Sequence, residues 1–464
     1  MLFSSLIFLS IFLPAVLLVY YSVSPKSRNS VLLVASLIFY GWGEPRLLAV
    51  MLLFILANYA AALLVESAGK PAGRRFFLIL GLLADFSVLG YFKYADFFIE
   101  NVNRLTGCSF ELLHIVLPLG ISFYTFQAVS YLIDVYRKEV CAEKNIAALA
   151  LFITFFPQLI AGPIIKYHEI ADQFKDRTES LDGVYGGLSR FILGLTKKVL
   201  IANIVADYAD QVYALSAADV SCPDAWLGAV AYAFQIYFDF SGYSDMAIGL
   251  GMMFGFRIPE NFNFPYISKT ITEFWRRWHI SLSTWFREYL YFPLGGSRCS
   301  RLRSCCNLLI VFTATGIWHG ASWTFVIWGL WHGFFIVVER IFDLHKKAFA
   351  WPVRILMHAV TLLIVLIGWV FFRIDDLPAA LDFVRKMVLF RDPGELTVVP
   401  SALTLTVLAI AVLCSTELVA KLQQLMLKWK YGQLILRGMD ALLLVLVMLR
   451  LVASSYNPFI YFRF

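Results

Sequence analysis

The sequence predicts an all-α, polytopic integral membrane protein, and three observations carry that expectation. Of its 464 residues, 60% are hydrophobic, and the mean hydropathy is +0.73. Only 15% are charged, against about 25% in ordinary globular proteins, which is too few to cover a water-facing surface. Apolar runs near bilayer-spanning length recur along nearly the whole chain. This composition excludes a water-soluble multidomain protein. It also excludes a disordered chain, which would lack the apolar side chains present here in excess.

In order, the runs are Leu2–Tyr21, Leu47–Val65, Phe76–Tyr91, Ile146–Ile165 and Ala225–Phe254, then Leu308–Trp318, Ala321–Val338, Val353–Phe372, Leu403–Val419 and Met439–Val452. Shorter or interrupted ones lie at Val31–Tyr40, Leu112–Leu132 and Gly186–Asn203. Together they predict about ten to twelve crossings plus partial, re-entrant or amphipathic helices, folded as one membrane domain over residues 1–464. The first run has no basic flank before it and is followed by Lys26 and Arg28, the wrong polarity for a cleaved signal. Lys26/Arg28, Lys70/Arg74/Arg75 and Arg137/Lys138/Lys144 fall in alternate loops, and Arg298/Arg301/Arg303 and Lys346/Lys347 follow the same logic. Basic loops stay cytoplasmic, so both termini are expected outside. The net charge of +7 fits basic loops against anionic lipid rather than a nucleic-acid partner. Seven cysteines with no C-x-x-C spacing predict neither a disulfide framework nor a metal site.

Ionisable groups inside apolar runs are costly and therefore point to function. Asp239 and Asp245 interrupt one such run, with Gly242, Gly249 and Gly251 allowing a break or a close helix contact. Two readings stand: carboxylates that pin a bent helix, or carboxylates that line a substrate cavity. Between residues 271 and 290, apolar and aromatic residues recur at helical spacing. Arg276, His279, Ser283 and Arg287 share the other side, within about 80° on a continuous helix. That shape suits an interfacial amphipathic helix or a site for an anionic, phosphate-bearing ligand. A third feature is the pair His319 and His332, each in a Trp-His-Gly triplet. On one continuous helix they stand about 140° apart, so they share a site only if the helix breaks near Gly320–Ser322. His114, His168, His345 and His358 lack comparable polar surroundings. The residues alone allow catalysis or transport.

The motifs YFDFSGYSDMAIGLG, ENFNFPYISKTITEFWRRWHISLSTWFREYLY and GIWHGASWTFVIWGLWHG, supported by LPLGISFYTFQAVSYLIDVYR and FFPQLIAGPI, resemble the membrane-bound O-acyltransferase family, and its alginate O-acetyltransferase-like branch most closely. The resemblance implies helices around a tunnel through a bacterial inner membrane, with acetyl-CoA entering from the cytoplasm as substrate and no permanent cofactor. It places the family's catalytic histidine on His319 and its second site position on His279. His319 would take the acceptor hydroxyl's proton, a role suited to neutral imidazole. His279 would orient the thioester or stabilise charge on its carbonyl oxygen. Arg276, Arg277 and Arg287 are candidates for the CoA phosphates, and Asp239, Tyr243, Asp245, Ser283 and Trp318 for support of the tunnel wall.

The resemblance further implies O-acetylation of an extracytoplasmic polysaccharide, alginate-like exopolysaccharide or peptidoglycan, completed by an exported acetyltransferase partner. A transporter, or a non-catalytic scaffold of an export complex, is the competing expectation. The tail Asn457–Phe464 reads as an aromatic interfacial anchor. It also resembles tails of small proteins that work with D-alanylating relatives, which makes Tyr461 a candidate acyl relay.

Overall fold

The computed structural model describes all residues except 44, 217–218, 345–346, 348, 390–393, 455–459 and 461–464. Every regular element among the described residues is helical. They form two compact units: Met1–Leu188 with Met246–Pro259, and Ser189–Asp245 with Glu260–Phe464.

In the first unit, Leu48–Ser67 and Pro71–Thr106 are long and apolar enough to cross a membrane. Pro71 opens the second of these, where its missing N–H costs nothing. Asn58 Nδ2 donates to Asp85 Oδ1 at 2.7 Å between the two helices, both groups buried. The N-terminal run forms a π-turn, Phe8–Phe12, continuing into Leu13–Ser22. Phe8, Phe12, Phe39 and Phe156 then interlock at centroid separations of 5.5–6.4 Å. The expected crossing Ile146–Ile165 breaks into Ile146–Thr154 and Phe156–Leu159. Pro157 sits in the first turn of the new helix, where its missing N–H needs no partner, and the N-cap Phe155 is non-helical at φ −49°, ψ 104°.

The second unit contributes Trp323–Ile341 and Trp351–Arg373 as spans, with Ala402–Cys414 and Leu418–Leu427 forming a fifth if that pair, bent by 70°, counts as one. Length and hydropathy thus support four or five crossings among the described residues, fewer than the ten to twelve expected. The difference arises because several apolar runs fold as shorter pieces. Others carry charge, as Gly432–Ala453 does with Arg437, Asp440 and Arg450. The chain is nonetheless all-helical and multi-pass. Within the unit, Arg301–His319 and Trp323–Ile341 form a tight hairpin. Gly316 makes the approach possible, because a Cβ there would lie 2.3 Å from the Phe325 carbonyl oxygen.

The helix Cys222–Met253 is unbroken, contrary to the kink its glycines allowed. Gly242 instead serves close contact: a Cβ there would fall 2.7 Å from the Gly194 carbonyl oxygen.

Candidate active site

The aromatic-cationic segment is not one helix. It folds as Ile271–Arg277 and Ile280–Phe286, followed by a π-turn at Arg287–Tyr291. Its start is fixed by Thr270, whose Oγ1 accepts the Glu273 N–H at 3.0 Å. Buried Glu339, from Trp323–Ile341, accepts the N–H groups of Ile271 and Thr272 at 2.5 and 2.9 Å. The break falls at His279, which adopts the left-handed conformation at φ 44°, ψ 56°. Its cause lies earlier in the chain. The Asn263 N–H donates to the Arg277 carbonyl and the Ile280 N–H to the Asn261 carbonyl, both at 2.9 Å, replacing helical hydrogen bonds. The shared 80° stripe drawn through Arg276, His279, Ser283 and Arg287 is therefore corrected.

Three of those four residues still converge. Arg276, Ser283 and Arg287 line one cavity of about 330 Å³, with Trp275, Phe312 and Thr315 among the other lining residues. Both arginines are exposed, and Arg287 Nη2 lies 3.5 Å from Glu288 Oε1. Arg277 goes elsewhere. Its Nε lies 3.0 Å from Glu273 and its Nη1 donates to the Asn263 carbonyl at 3.1 Å. One residue of helix turns a side chain by about 100°, which separates it from Arg276.

His279 is fully buried outside that cavity's lining. Its Nδ1 lies 3.2 Å from Asn261 Oδ1, which also accepts the Ser281 N–H at 3.2 Å and the Ser281 hydroxyl at 2.9 Å. Asn261 Nδ2 donates to Ser244 Oγ at 3.1 Å. The Ser281 backbone N–H can only donate, so that Asn261 atom is the acceptor and His279 Nδ1 carries the proton. Nε2 is then the acceptor nitrogen of the neutral ring. Asn261 was passed over in the sequence because nothing local ties it to His279.

His319 ends the helix Arg301–His319, one turn beyond cavity-lining Thr315. It is buried, with its ring 4.8 Å from Trp318, 5.0 Å from Trp328 and 5.1 Å from Phe372. Trp318 also meets the His279 ring at 6.3 Å, so one indole contacts both histidines. The chain leaves helical geometry at Gly320 and resumes it at Trp323. That break satisfies the condition for His319 and His332 to share surroundings, and both rings contact Trp328, at 5.0 and 5.3 Å.

Asp239 and Asp245 hold ion pairs on an unbroken helix, so they tie that helix to a neighbouring segment and pin no bend. Lys198 Nζ lies 2.6 Å from Asp239, while Lys197 and Arg190 each lie 2.6 Å from Asp245. The π-turn Lys197–Ala202 begins with these two lysines, as the helix Leu181–Thr196 ends. Neither carboxylate lines the arginine cavity, nor does buried Tyr243. Lys197 and Lys198 were missed, although two lysines inside an apolar run are themselves a signal. Tyr461 lies outside the described residues, as does His345. Ile460 is described: it is buried, and its N–H donates to Asp239 Oδ2 at 2.8 Å.

In the first unit, His168 Nδ1 pairs with buried Asp134 at 2.8 Å. That hydrogen bond holds the imidazole above its ordinary pKa. All seven cysteines are free thiols.

Comparison with known proteins bears on the same segments. Residues 139–374 match the family model described as membrane-bound O-acyltransferase. The chain is 44% identical to a protein named probable alginate O-acetylase AlgI from Pseudomonas putida, over the full length of both. It is 47% identical to the protein of that name from Pseudomonas aeruginosa, over 84% of this chain and 75% of the relative. A peptidoglycan O-acetyltransferase from Helicobacter pylori is 40% identical, over 84% of this chain and 80% of its own.

Proposed function

This chain belongs to the membrane-bound O-acyltransferase family, and from that premise we propose that it moves acetyl groups from cytoplasmic acetyl-CoA to an extracytoplasmic polysaccharide. It is an O-acyltransferase and a multi-pass membrane protein. The finer reading rests chiefly on one observation: the cavity bearing Arg276, Ser283 and Arg287 reaches Thr315, one turn from His319 on the same helix. An anionic head held at the arginines would send a thioester arm along that helix toward the imidazole.

A thioester is already activated, so the task left to the protein is proton management. The acceptor hydroxyl oxygen attacks the thioester carbonyl carbon while His319 takes the hydroxyl proton. The carbon–sulfur bond then breaks, and the departing sulfur recovers that proton, giving an O-acetyl ester and free CoA thiol. His279, with Nδ1–H committed to Asn261, presents an acceptor nitrogen. It therefore suits orientation of a hydroxyl donor better than stabilisation of a negative carbonyl oxygen, which needs a donor.

The acceptor polymer in this reading is an alginate-like exopolysaccharide or peptidoglycan, in keeping with the relatives' names. An exported acetyltransferase would complete delivery, with both termini of this chain outside an inner membrane. Tyr461 is proposed as the relay, and its neighbour in sequence, Ile460, donates its N–H to Asp239 Oδ2 within the second unit. A phenyl ester is a competent intermediate, because a phenol pKa of about 10 makes it a better leaving group than an alkyl alcohol. The test is release of CoA thiol from acetyl-CoA by purified protein, with transfer of labelled acetyl to the C-terminal peptide or to added polymer. No thiol release by the intact protein sinks the donor assignment.

A further inference from the structure

Three consecutive residues, His279, Ile280 and Ser281, all turn to one partner earlier in the chain, Asn261. The Asn261 carbonyl accepts the Ile280 N–H at 2.9 Å. Its side-chain oxygen serves the other two, accepting from His279 Nδ1 and from the Ser281 N–H, each at 3.2 Å. The Ser281 hydroxyl is a third donor to that oxygen, at 2.9 Å. Asn261 is fully buried, which keeps bulk water from competing for the oxygen.

The amide cannot turn over. A flip would set its NH2 against the Ser281 N–H, donor facing donor. It would also withdraw Nδ2 from Ser244 Oγ, to which it donates at 3.1 Å. Ser244 sits on the helix Cys222–Met253, so an element outside the turn sets which way Asn261 points.

Two consequences reach His279. A neutral imidazole can carry its proton on either nitrogen, and an oxygen that only accepts selects Nδ1–H and leaves Nε2 as the acceptor. The same contact holds the ring on a left-handed backbone at φ 44°, a conformation costly for L side chains. Phe240 meets that ring edge-on at 4.7 Å, with Trp318 at 6.3 Å. Asn261 also starts the next helix. His279 precedes Ile280–Phe286 and makes no side-chain cap. The Asn261 carbonyl and side-chain oxygen instead satisfy that helix's first two N–H groups, and its Ser283 lines the arginine cavity.

We propose that Asn261 is a positioning residue for acetyl transfer, holding His279 in the tautomer and orientation in which Nε2 accepts from the attacking hydroxyl. The assignment rests on the acetyl-transfer reading above. Asn261 acts only through the imidazole. Without it the proton can sit on Nε2, and the ring then offers a donor where the reaction uses an acceptor.

The experiment reads the ring nitrogens by NMR in full-length protein in detergent carrying isotope-labelled histidine, beside kcat and KM for acetyl-CoA. The His279 signals are those lost in His279→Gln. Wild-type protein should show a protonated Nδ1 and a bare Nε2. Asn261→Leu, close to asparagine in shape, should lose that signature and lower kcat about 10²-fold, the cost of misplacing a reacting group. KM should change little, because His279 is not in the lining of the arginine cavity. Asn261→Asp, which keeps the accepting oxygen, should retain Nδ1–H and recover most of the lost kcat. A wild-type His279 protonated on Nε2 overturns the proposal, and that result needs no variant to fold. Equal losses for the Leu and Asp variants, or lost kcat with Nδ1–H intact, make Asn261 a merely structural residue and overturn it too. Active wild-type protein with the other tautomer strikes the positioning role alone. Wild-type protein that releases no CoA thiol strikes the transfer reading, and the role in turnover with it.

Discussion

Lys198 Nζ and Asp239 Oδ1 meet at 2.6 Å with their side chains only 4% and 3% exposed. The same carboxylate accepts the Ile460 N–H, so Asp239 ties the helix Cys222–Met253 both to the lysine turn and to Ile460. Removing one partner of such a pair strands the other charge. Lys198→Ala should therefore destabilise by about 3–5 kcal/mol. The double variant Lys198→Ala/Asp239→Asn should recover part of that loss. Thermal unfolding in detergent reads both, and an unchanged midpoint for Lys198→Ala would show the pair to be dispensable.

His319→Ala should lower acetyl transfer by about 10²–10⁴-fold, the usual worth of a positioned base. Folding and CoA binding should persist, because the arginine cavity does not include the imidazole. Retention of half the wild-type rate would remove His319 from the base role.

Arg276→Ala and Arg287→Ala should each weaken CoA binding about 3- to 10-fold, a modest loss because both guanidinium groups are exposed. Arg277→Ala should have less effect on affinity, since its side chain is spent on Glu273 and the Asn263 carbonyl. Arg303→Ala in the 298–303 segment is the control for diffuse potential. Equal losses across all four variants would mean that no specific phosphate site exists.

The His168–Asp134 pair makes stability depend on pH. Its hydrogen bond raises the folded imidazole's pKa above the unfolded value of about 6.5. The stabilisation is complete below that value and is lost as pH rises through the folded one. Lys166 and Glu169 also face this imidazole, with opposing effects. The wild-type advantage over His168→Gln in thermal unfolding should be largest near pH 6 and shrink toward pH 9. A constant gap would assign the contact to packing.

Incubation with acetyl-CoA should leave an acetyl mass on the C-terminal peptide, labile to hydroxylamine and missing in Tyr461→Phe. Normal polymer acetylation in cells carrying Tyr461→Phe would leave the tail as an interfacial anchor only.

The sequence by itself determined the all-helical membrane class, because burying backbone polar groups away from water admits little else for so apolar a chain. It also picked out Arg276, Ser283 and Arg287 as companions, although for a stripe that does not exist, and named the break after His319 as the condition for a shared histidine environment. Other features were decided only by tertiary structure, for a common reason. Helical periodicity reports which face of a segment is apolar, whereas the left-handed turn at His279 comes from hydrogen bonds with Asn261 and Asn263 across a reversed stretch of chain. The neutralisation of Asp239 and Asp245 likewise needs lysines from another helix. Local pattern fixes what a segment buries; which partner satisfies a buried charge or N–H is settled by chain distant in sequence and adjacent in space.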